Sequence, residues 1–450
     1  MSSFHGPDPV FSPEIVKYHS NLLGIDAPKH PGNDATLAPI IAASALRHLH
    51  SNDPRLFFNI TPPSSTFICG SQGLGKSHTL SCMLEACLIP SSKLGRLPNP
   101  LTGVVFHYDT FISDVPGQPC DAAYLASNAD VSVRVLCAPT NVASIKASNL
   151  LRTYATLNVI IEPLQIDQSH LDTKRMMDLM AATDDDVPLY MESVKRKEGS
   201  GFDYREFRRR IDGCGFTPGQ MGPLSQRLDA LESFMPAFQT KLTPGTNWTA
   251  VPGRLTIVDL SCPCISPPTA CLLFNICLEL FLQPHANEAN DTGVGRVVAL
   301  DEAHKYMTTS PEWTVFTETL LRAVRLQRHL GARIIVSTQE PTVATALLDL
   351  CSTTIMHRFT SPDWMKALKG HLAAGQEDHH NFDSKGESPS DNKSMTLFER
   401  ILPLKVGEAL LFAPSAIRRG VEFERLGGRN LMITVRGRLT DDGGKSILSQ

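Results

Sequence analysis

Residues 69–80 read CGSQGLGKSHTL, and inside them lies G-x-x-x-x-G-K-S, from Gly70 to Ser77. Nothing else in the chain restricts its fold as tightly. A strand has to end there, the backbone has to wrap an anion, and a helix has to begin. Gly70, Gly73 and Gly75 permit positive φ and close backbone approach. The loop Gly70, Ser71, Gln72, Gly73, Leu74, Gly75, Lys76, Ser77 and His78 would then turn its N–H groups, and the helix N-terminus behind them, toward a phosphate chain. Lys76 would reach the β- and γ-phosphates, and the Ser77 hydroxyl would hold Mg²⁺. The flanks agree: STFIC (65–69) reads as a short buried strand, and HTLSCMLEACL (78–88) has helical apolar spacing. The loop therefore implies ATP and Mg²⁺ as bound species.

Such a loop needs a partner strand that ends in a carboxylate. RVVALDEAH supplies one, its four apolar residues leading into Asp301 and Glu302. Asp301 is the expected Mg²⁺ ligand beside Ser77, and Glu302 the group that polarises an attacking water. TIVDLS also ends in an acid, Asp259, but no glutamate follows it; turn anchor is its other reading. The strand ARIIVSTQEP ends in Ser337, Thr338 and Gln339. Groups at the carboxyl ends of adjacent parallel strands meet at the ligand, so Gln339 is expected at the γ-phosphate or the lytic water. Before it, TLLRAVRLQRHLGAR carries Arg322, Arg325, Arg328 and Arg333. They form a solvated basic face, or one of them reaches a neighbouring subunit's γ-phosphate.

Strand patterns recur at 104–111, 131–139, 157–164, 254–261, 296–303, 332–339, 352–359, 407–414 and 430–438. A helix is expected over 36–51 and another near 141–154. Strands that alternate with helices predict an α/β fold with a mainly parallel sheet covered on both faces. Residues 168–240 show helical spacing without a strand pattern, which predicts an inserted helical subdomain. The division expected is an N-terminal extension (1–60, its first 35 residues loosely ordered), a core in two parts (61–167 and 241–440) around the insertion (168–240), and a tail (441–450). The polar run 375–394 reads as a mobile loop.

Composition removes several classes. The formal net charge is −4, so nothing global points to nucleic acid. The longest apolar stretch, ACLLFNICLELFL (270–282), is too short for a bilayer and contains Asn275 and Glu279, so it reads as a buried helix. The N-terminus lacks the pattern of a signal peptide. Eleven cysteines without a C-x-x-C pair read as reduced thiols, which suits the cytosol or nucleus and a chain without a membrane partner.

In order and motif the chain resembles the HerA–FtsK superfamily of P-loop ATPases, the HerA-like branch most closely. The resemblance runs over residues 60 to 440: phosphate loop, helical insertion, LTIVDLS, a long helix, VVALDEAH, an Arg-rich helix, IIVSTQEP, and late strands with VGEALLF. It implies a RecA/FtsK-like P-loop NTPase fold and a homo-oligomeric ring, hexameric in the family. It carries Lys76, Ser77, Asp301 and Glu302 over to their family roles, and Gln339 as a sensor. It also implies an arginine finger, with Arg328 and Arg333 as candidates. The family's N-terminal β-barrel has no counterpart in the first 60 residues, which do not read as one.

Two functions follow as expectations. One is an ATP-driven DNA translocase or helicase-type motor. Its local support is SVKRKEGSGFDYREFRRR (193–210), where Lys195, Arg196, Lys197, Arg205, Arg208, Arg209 and Arg210 alternate with Phe202, Tyr204 and Phe207, as phosphate contacts and base-stacking rings would. A solvated helix end is the other reading of that stretch. The second function is a nucleotide-dependent switch or scaffold that acts on protein partners. Vestigial binding is disfavoured by the intact Lys76, Ser77, Asp301 and Glu302.

Overall fold

The structure, a computed structural model of the chain, describes residues 20–23, 36–38, 56–58 and 60–443; within the last span, 61, 92–93, 95–98, 110–118, 147–153, 173, 177–201, 214–217, 236–244, 284–293, 308–309, 341–344, 372–395 and 420–422 lie outside the description. Ten strands form one sheet: β1 Ser65–Cys69, β2 Thr102–His107, β3 Ser132–Cys137, β4 Ile160–Pro163, β5 Arg254–Asp259, β6 Arg296–Leu300, β7 Ala332–Thr338, β8 Thr353–Met356, β9 Glu408–Phe412 and β10 Asn430–Thr434. Their spatial order is β10-β9-β8-β1-β7-β6-β2-β5-β3-β4. From β8 to β4 every pairing is parallel; β9 alone runs against its neighbours β8 and β10. β7 therefore separates the loop strand β1 from the carboxylate strand β6.

Apolar residues of the central strands alternate between two cores. Phe67, Val104, Phe106, Val298, Leu300, Ile334 and Val336 face one; Ile68, Val105, Val297, Ala299 and Ile335 face the other. Both sides of the sheet must therefore be covered, and helices cover them. On the second face lies α1 (Lys76–Leu88), which buries Leu80, Met83 and Leu84. On the first face lie α2 (Tyr204–Asp212), α3 (Pro218–Glu232), α4 (Pro267–Leu282) and α5 (Pro311–Arg325), which bury Phe207, Leu228, Phe274 and Phe316 there. Phe274 anchors this core, its ring 5.0 Å from both Phe106 and Tyr306. Each fully buried aromatic ring contributes about 1.5–3 kcal/mol by desolvation.

Helix starts follow a local rule. Ser266, Ser310 and Ser361 each cap a helix by accepting a backbone N–H three residues on, and each is followed by proline at the first helical position. These open α4, α5 and α7 (Pro362–Lys369); between α5 and β7 stands the short α6 (Gln327–Leu330). The expected buried helix 270–282 is α4. No described helix is long and apolar enough to cross a membrane. All ten described cysteines are free thiols.

Two expectations change. Thr36–Ala38, the start of the helix expected over 36–51, is a strand paired with Ile417–Arg419, so partner strands override its apolar spacing; 39–51 lie outside the description. Ser20–Leu23 pairs antiparallel with Leu56–Phe58, so the first 35 residues contain an ordered segment. Of the helix expected near 141–154, Val142–Lys146 is helical and Tyr154–Thr156 forms a 3-10 turn; 147–153 lie outside the description. The polar run 375–394 and Lys195, Arg196 and Lys197 lie outside the description.

Candidate nucleotide-binding site

Thr338 is level with Cys69, and Val336 with Leu300. β1, β7 and β6 therefore deliver their carboxyl-terminal residues to one rim. Gly70, Ser71 and the following turn leave β1 there; Gln339 leaves β7; Asp301 and Glu302 leave β6.

Gly70, Gly73 and Gly75 have φ of 148°, 73° and 105°, and α1 begins at Lys76 directly behind them. At Gly70 the reason is contact as well as dihedral: a Cβ there would lie 2.6 Å from the His357 Cβ. His357 was not singled out from the sequence, because a histidine after a strand carries no motif. It is fully buried and seats the loop. Its N–H bonds Cys69 O at 2.8 Å, Nδ1 lies 3.0 Å from Glu408 O, and Nε2 lies 2.9 Å from Thr79 Oγ1 on α1. Glu408 O can only accept, so Nδ1 carries the hydrogen and Nε2 accepts from Thr79. Burial pushes the His357 pKa down to about 4, so the ring is neutral near pH 7. Ser71 N–H donates to Arg358 O at 2.9 Å, a second tie between the loop and the segment that follows β8.

Lys76 is 3% exposed, and its Nζ donates to Ser71 O at 3.0 Å. The ammonium is 3.9 Å from Glu302 Oε1. Burial lowers the Lys76 pKa, against the opposing pull of Glu302 and Asp301. Ser77 and His78 are half-buried on the first turn of α1, and His78 Nε2 lies 2.8 Å from Arg436 O. Gln72 and Gly73 are exposed at the tip, whereas Leu74 is buried.

Glu302 has φ 50° and ψ 45°, the only positive φ outside glycine among the described residues. A left-handed glutamate costs on the order of 1–2 kcal/mol. The bend turns its carboxylate to Gln339, whose Nε2 donates to Oε2 at 2.6 Å, and to His304, whose Nε2 is 3.5 Å from the same oxygen. Asp301, the residue before Glu302, is engaged inside the protein through one oxygen. It is 3% exposed, with Oδ2 3.1 Å from His107 Nδ1 and 3.6 Å from Cys120 Sγ. Burial opposes its charge, but the hydrogen bond and charge of His107 hold the carboxyl below the usual range. Burial likewise opposes charge on His107, yet Cys120 and Asp301 lift its pKa well above the ordinary value.

Asp259 is the turn anchor: Oδ1 accepts from Ser261 N–H at 2.9 Å, and Oδ2 accepts from Tyr154 Oη at 2.6 Å. The arginines separate. Arg333 is buried at the amino end of β7, where it donates to Ile60 O and Gly331 O. It stands five residues, about 17 Å of strand, from the rim, and its bonds remove it from the finger candidates. Arg328, on α6, is exposed at that same far end, as are Arg322 and Arg325 on α5. Arg328 could serve only a second copy's site.

The expected base-stacking patch is corrected. Tyr204 and Phe207 are buried core residues, 1% and 2% exposed, and Phe202 packs against them. Arg208 is ion-paired with Asp212, Asp229 and Glu232, and Arg209 and Arg210 with Glu206. Ring spacing that reads as interleaved aromatics in sequence is the apolar face of α2.

No family model matches this sequence, and no curated protein does. Solved structures do. VirB4 of Thermoanaerobacter pseudethanolicus superposes with a TM-score of 0.53 at 12% identity, covering 92% of this chain and 99% of that one. The bacterial conjugative coupling protein TrwB gives a TM-score of 0.48 at 10% identity, over 85% and 88% of the two chains. At 12% identity the likeness to VirB4 is one of fold, a mostly parallel ten-stranded sheet flanked by helices, which is that of the P-loop NTPases.

Proposed function

We propose that this chain binds ATP and hydrolyses it to ADP and phosphate, as a HerA/FtsK-like ring motor acting on DNA. The observation that carries the hydrolytic reading is the contact of Gln339 Nε2 with Glu302 Oε2 at 2.6 Å, with Lys76 Nζ 3.9 Å from the same carboxylate. A base, a sensor amide and a phosphate-binding cation share one rim. Lys76 leaves Ser71 O for the β- and γ-phosphates, and the loop N–H groups hold the remaining charge. Glu302 takes a proton from the attacking water, while Gln339 and the strained backbone fix its carboxylate. Ser77 and Asp301 fit Mg²⁺, since one is a hydroxyl on the first turn of α1 and the other has a buried oxygen, Oδ1, with no partner among the described residues. Bound there, Mg²⁺ would neutralise charge on the β- and γ-phosphates.

The ring rests on the family resemblance and on Arg328, which cannot reach its own chain's rim. DNA rests on the resemblance alone. The second reading, a nucleotide-dependent switch for protein partners, draws on the neutralised and ring-free surface of α2. Steady-state ATP hydrolysis by wild type and Glu302→Gln, over a range of protein concentration with and without DNA, separates them. Turnover that is lost in the mutant, rises with concentration and is stimulated by DNA fits the motor. Slow turnover indifferent to both fits the switch. ATP binding that Lys76→Ala leaves intact would overturn both.

A further inference from the structure

His107, Cys120 and Asp301 meet beside the rim, behind the catalytic carboxylate. His107 ends β2 and Asp301 follows β6, the adjacent strand, so parallel register alone sets them level. Cys120 arrives from elsewhere in the chain and is fixed independently. Its N–H donates to Tyr154 Oη at 2.9 Å, and Tyr154 in turn donates to Asp259, which stands level with His107 on β5. All three side chains are at least nine-tenths buried, and their ligand atoms lie within 4.8 Å of one another.

We propose that these three residues form a site for Zn²⁺. The donors are an imidazole, a thiol and a carboxylate, the set that zinc selects and that Mg²⁺ and Ca²⁺ do not. The spacing agrees. Tetrahedral zinc with ordinary bond lengths needs about 3.4 Å between its nitrogen and oxygen ligands and about 3.6 Å between sulfur and oxygen. The corresponding separations are 3.1 Å and 3.6 Å. Three protein ligands leave the fourth tetrahedral position to a water, and Asp301 Oδ1, buried without a partner among the described residues, is free to accept from it. Uptake releases the protons of Cys120 Sγ and His107 Nδ1, so affinity rises with pH. On the ATPase reading, Zn²⁺ and Mg²⁺ would compete for one carboxylate, but the zinc site itself stands without that reading.

Co²⁺ is the probe, because a thiolate ligand gives it a charge-transfer band and a tetrahedral site gives it strong visible bands. The chelator-treated full chain is titrated with Co²⁺ and then with Zn²⁺. Both sets of bands should appear at one equivalent and vanish as Zn²⁺ displaces the probe. Cys120→Ser should lose the charge-transfer band, while Cys264→Ser, which alters an exposed thiol, should keep it. Weak octahedral bands in the wild type, or a charge-transfer band undiminished in Cys120→Ser, overturn the site. Should Cys120→Ser fail to fold, zinc-edge X-ray absorption of the loaded wild type decides. One sulfur scatterer with nitrogen and oxygen neighbours is expected; none, or two or more, refutes it.

Discussion

On the proposed reading Glu302 carries the chemistry of the rim, while His357 seats it, and the two differ in how visible they are. Glu302 follows an apolar strand and an aspartate, so its place was readable; its left-handed backbone was not, because no glycine or asparagine marks it. Glu302→Gln keeps the shape and the Gln339 contact but removes the proposed base, so on that proposal it should bind ATP while turnover falls about 10²–10⁴-fold, checked by equilibrium nucleotide binding beside steady-state kinetics. His357 was invisible, since its role depends on Gly70, Thr79 and Glu408, which lie far from it in sequence. Its effect on stability has a definite sign. The folded pKa of about 4 lies below the unfolded value of about 6.5. Below pH 6.5 the unfolded chain therefore binds a proton that the folded chain refuses. The contribution is whole above pH 6.5 and shrinks as pH falls toward 4, by roughly 3 kcal/mol in total. In urea unfolding between pH 7 and 4.5, His357→Asn should lose less stability than wild type by about 2–3 kcal/mol; equal losses would show that this ring does not titrate as buried.

At the scale of elements, local signals that agree with tertiary packing were legible, and those that packing overrides were not. Nine of the ten sheet strands fall inside the expected apolar segments, and β2 starts two residues earlier, at Thr102; for the central strands, burial on both faces demands such runs. Thr36–Ala38 misled because apolar spacing in a short segment serves helix and strand alike. The aromatics of α2 misled in the opposite direction: their charges were visible, but not the core beneath them. The glycine loop makes a sharper prediction. Gly70→Ala places a methyl 2.6 Å from the His357 Cβ at a φ of 148°, so the loop must leave its seat. Nucleotide affinity should drop at least tenfold, while Gly427→Ala, at a φ of 58° with open space around it, should leave affinity unchanged; isothermal titration compares the two. Ser310→Ala tests the helix starts. Losing the cap of α5 should cost about 1 kcal/mol in a chemical denaturation series.

Across the whole molecule, the late segments close on the early ones. Arg436, Leu439 and Thr440 converge on Glu85 of α1, whose carboxylate is fully buried. It accepts from Arg436 Nη1 at 2.6 Å, from the Leu439 and Thr440 N–H groups at 2.9 Å, and from Thr440 Oγ1 at 2.7 Å. Burial alone would raise its pKa, but these bonds and the Arg436 charge hold it below the usual range. Glu85→Ala leaves a buried cation and three donors without their acceptor and should cost about 3–5 kcal/mol, seen as a lower midpoint in guanidinium unfolding. Ring assembly has its own test: Arg328→Ala subunits mixed into Glu302→Gln subunits should restore part of the turnover if each supplies what the other lacks across an interface, and none if every chain works alone. The closing of late on early segments also has a consequence in time. The phosphate loop leaves the ribosome early, yet its seat, His357, and the clamp at Thr440 are made more than 280 residues later. At about 5–20 residues per second, the nascent loop waits on the order of a minute before it can take its shape. A growing chain therefore carries an apolar β1–α1 unit without its cover, and holding it soluble until synthesis passes Thr440 is work for whatever meets the chain at the ribosome.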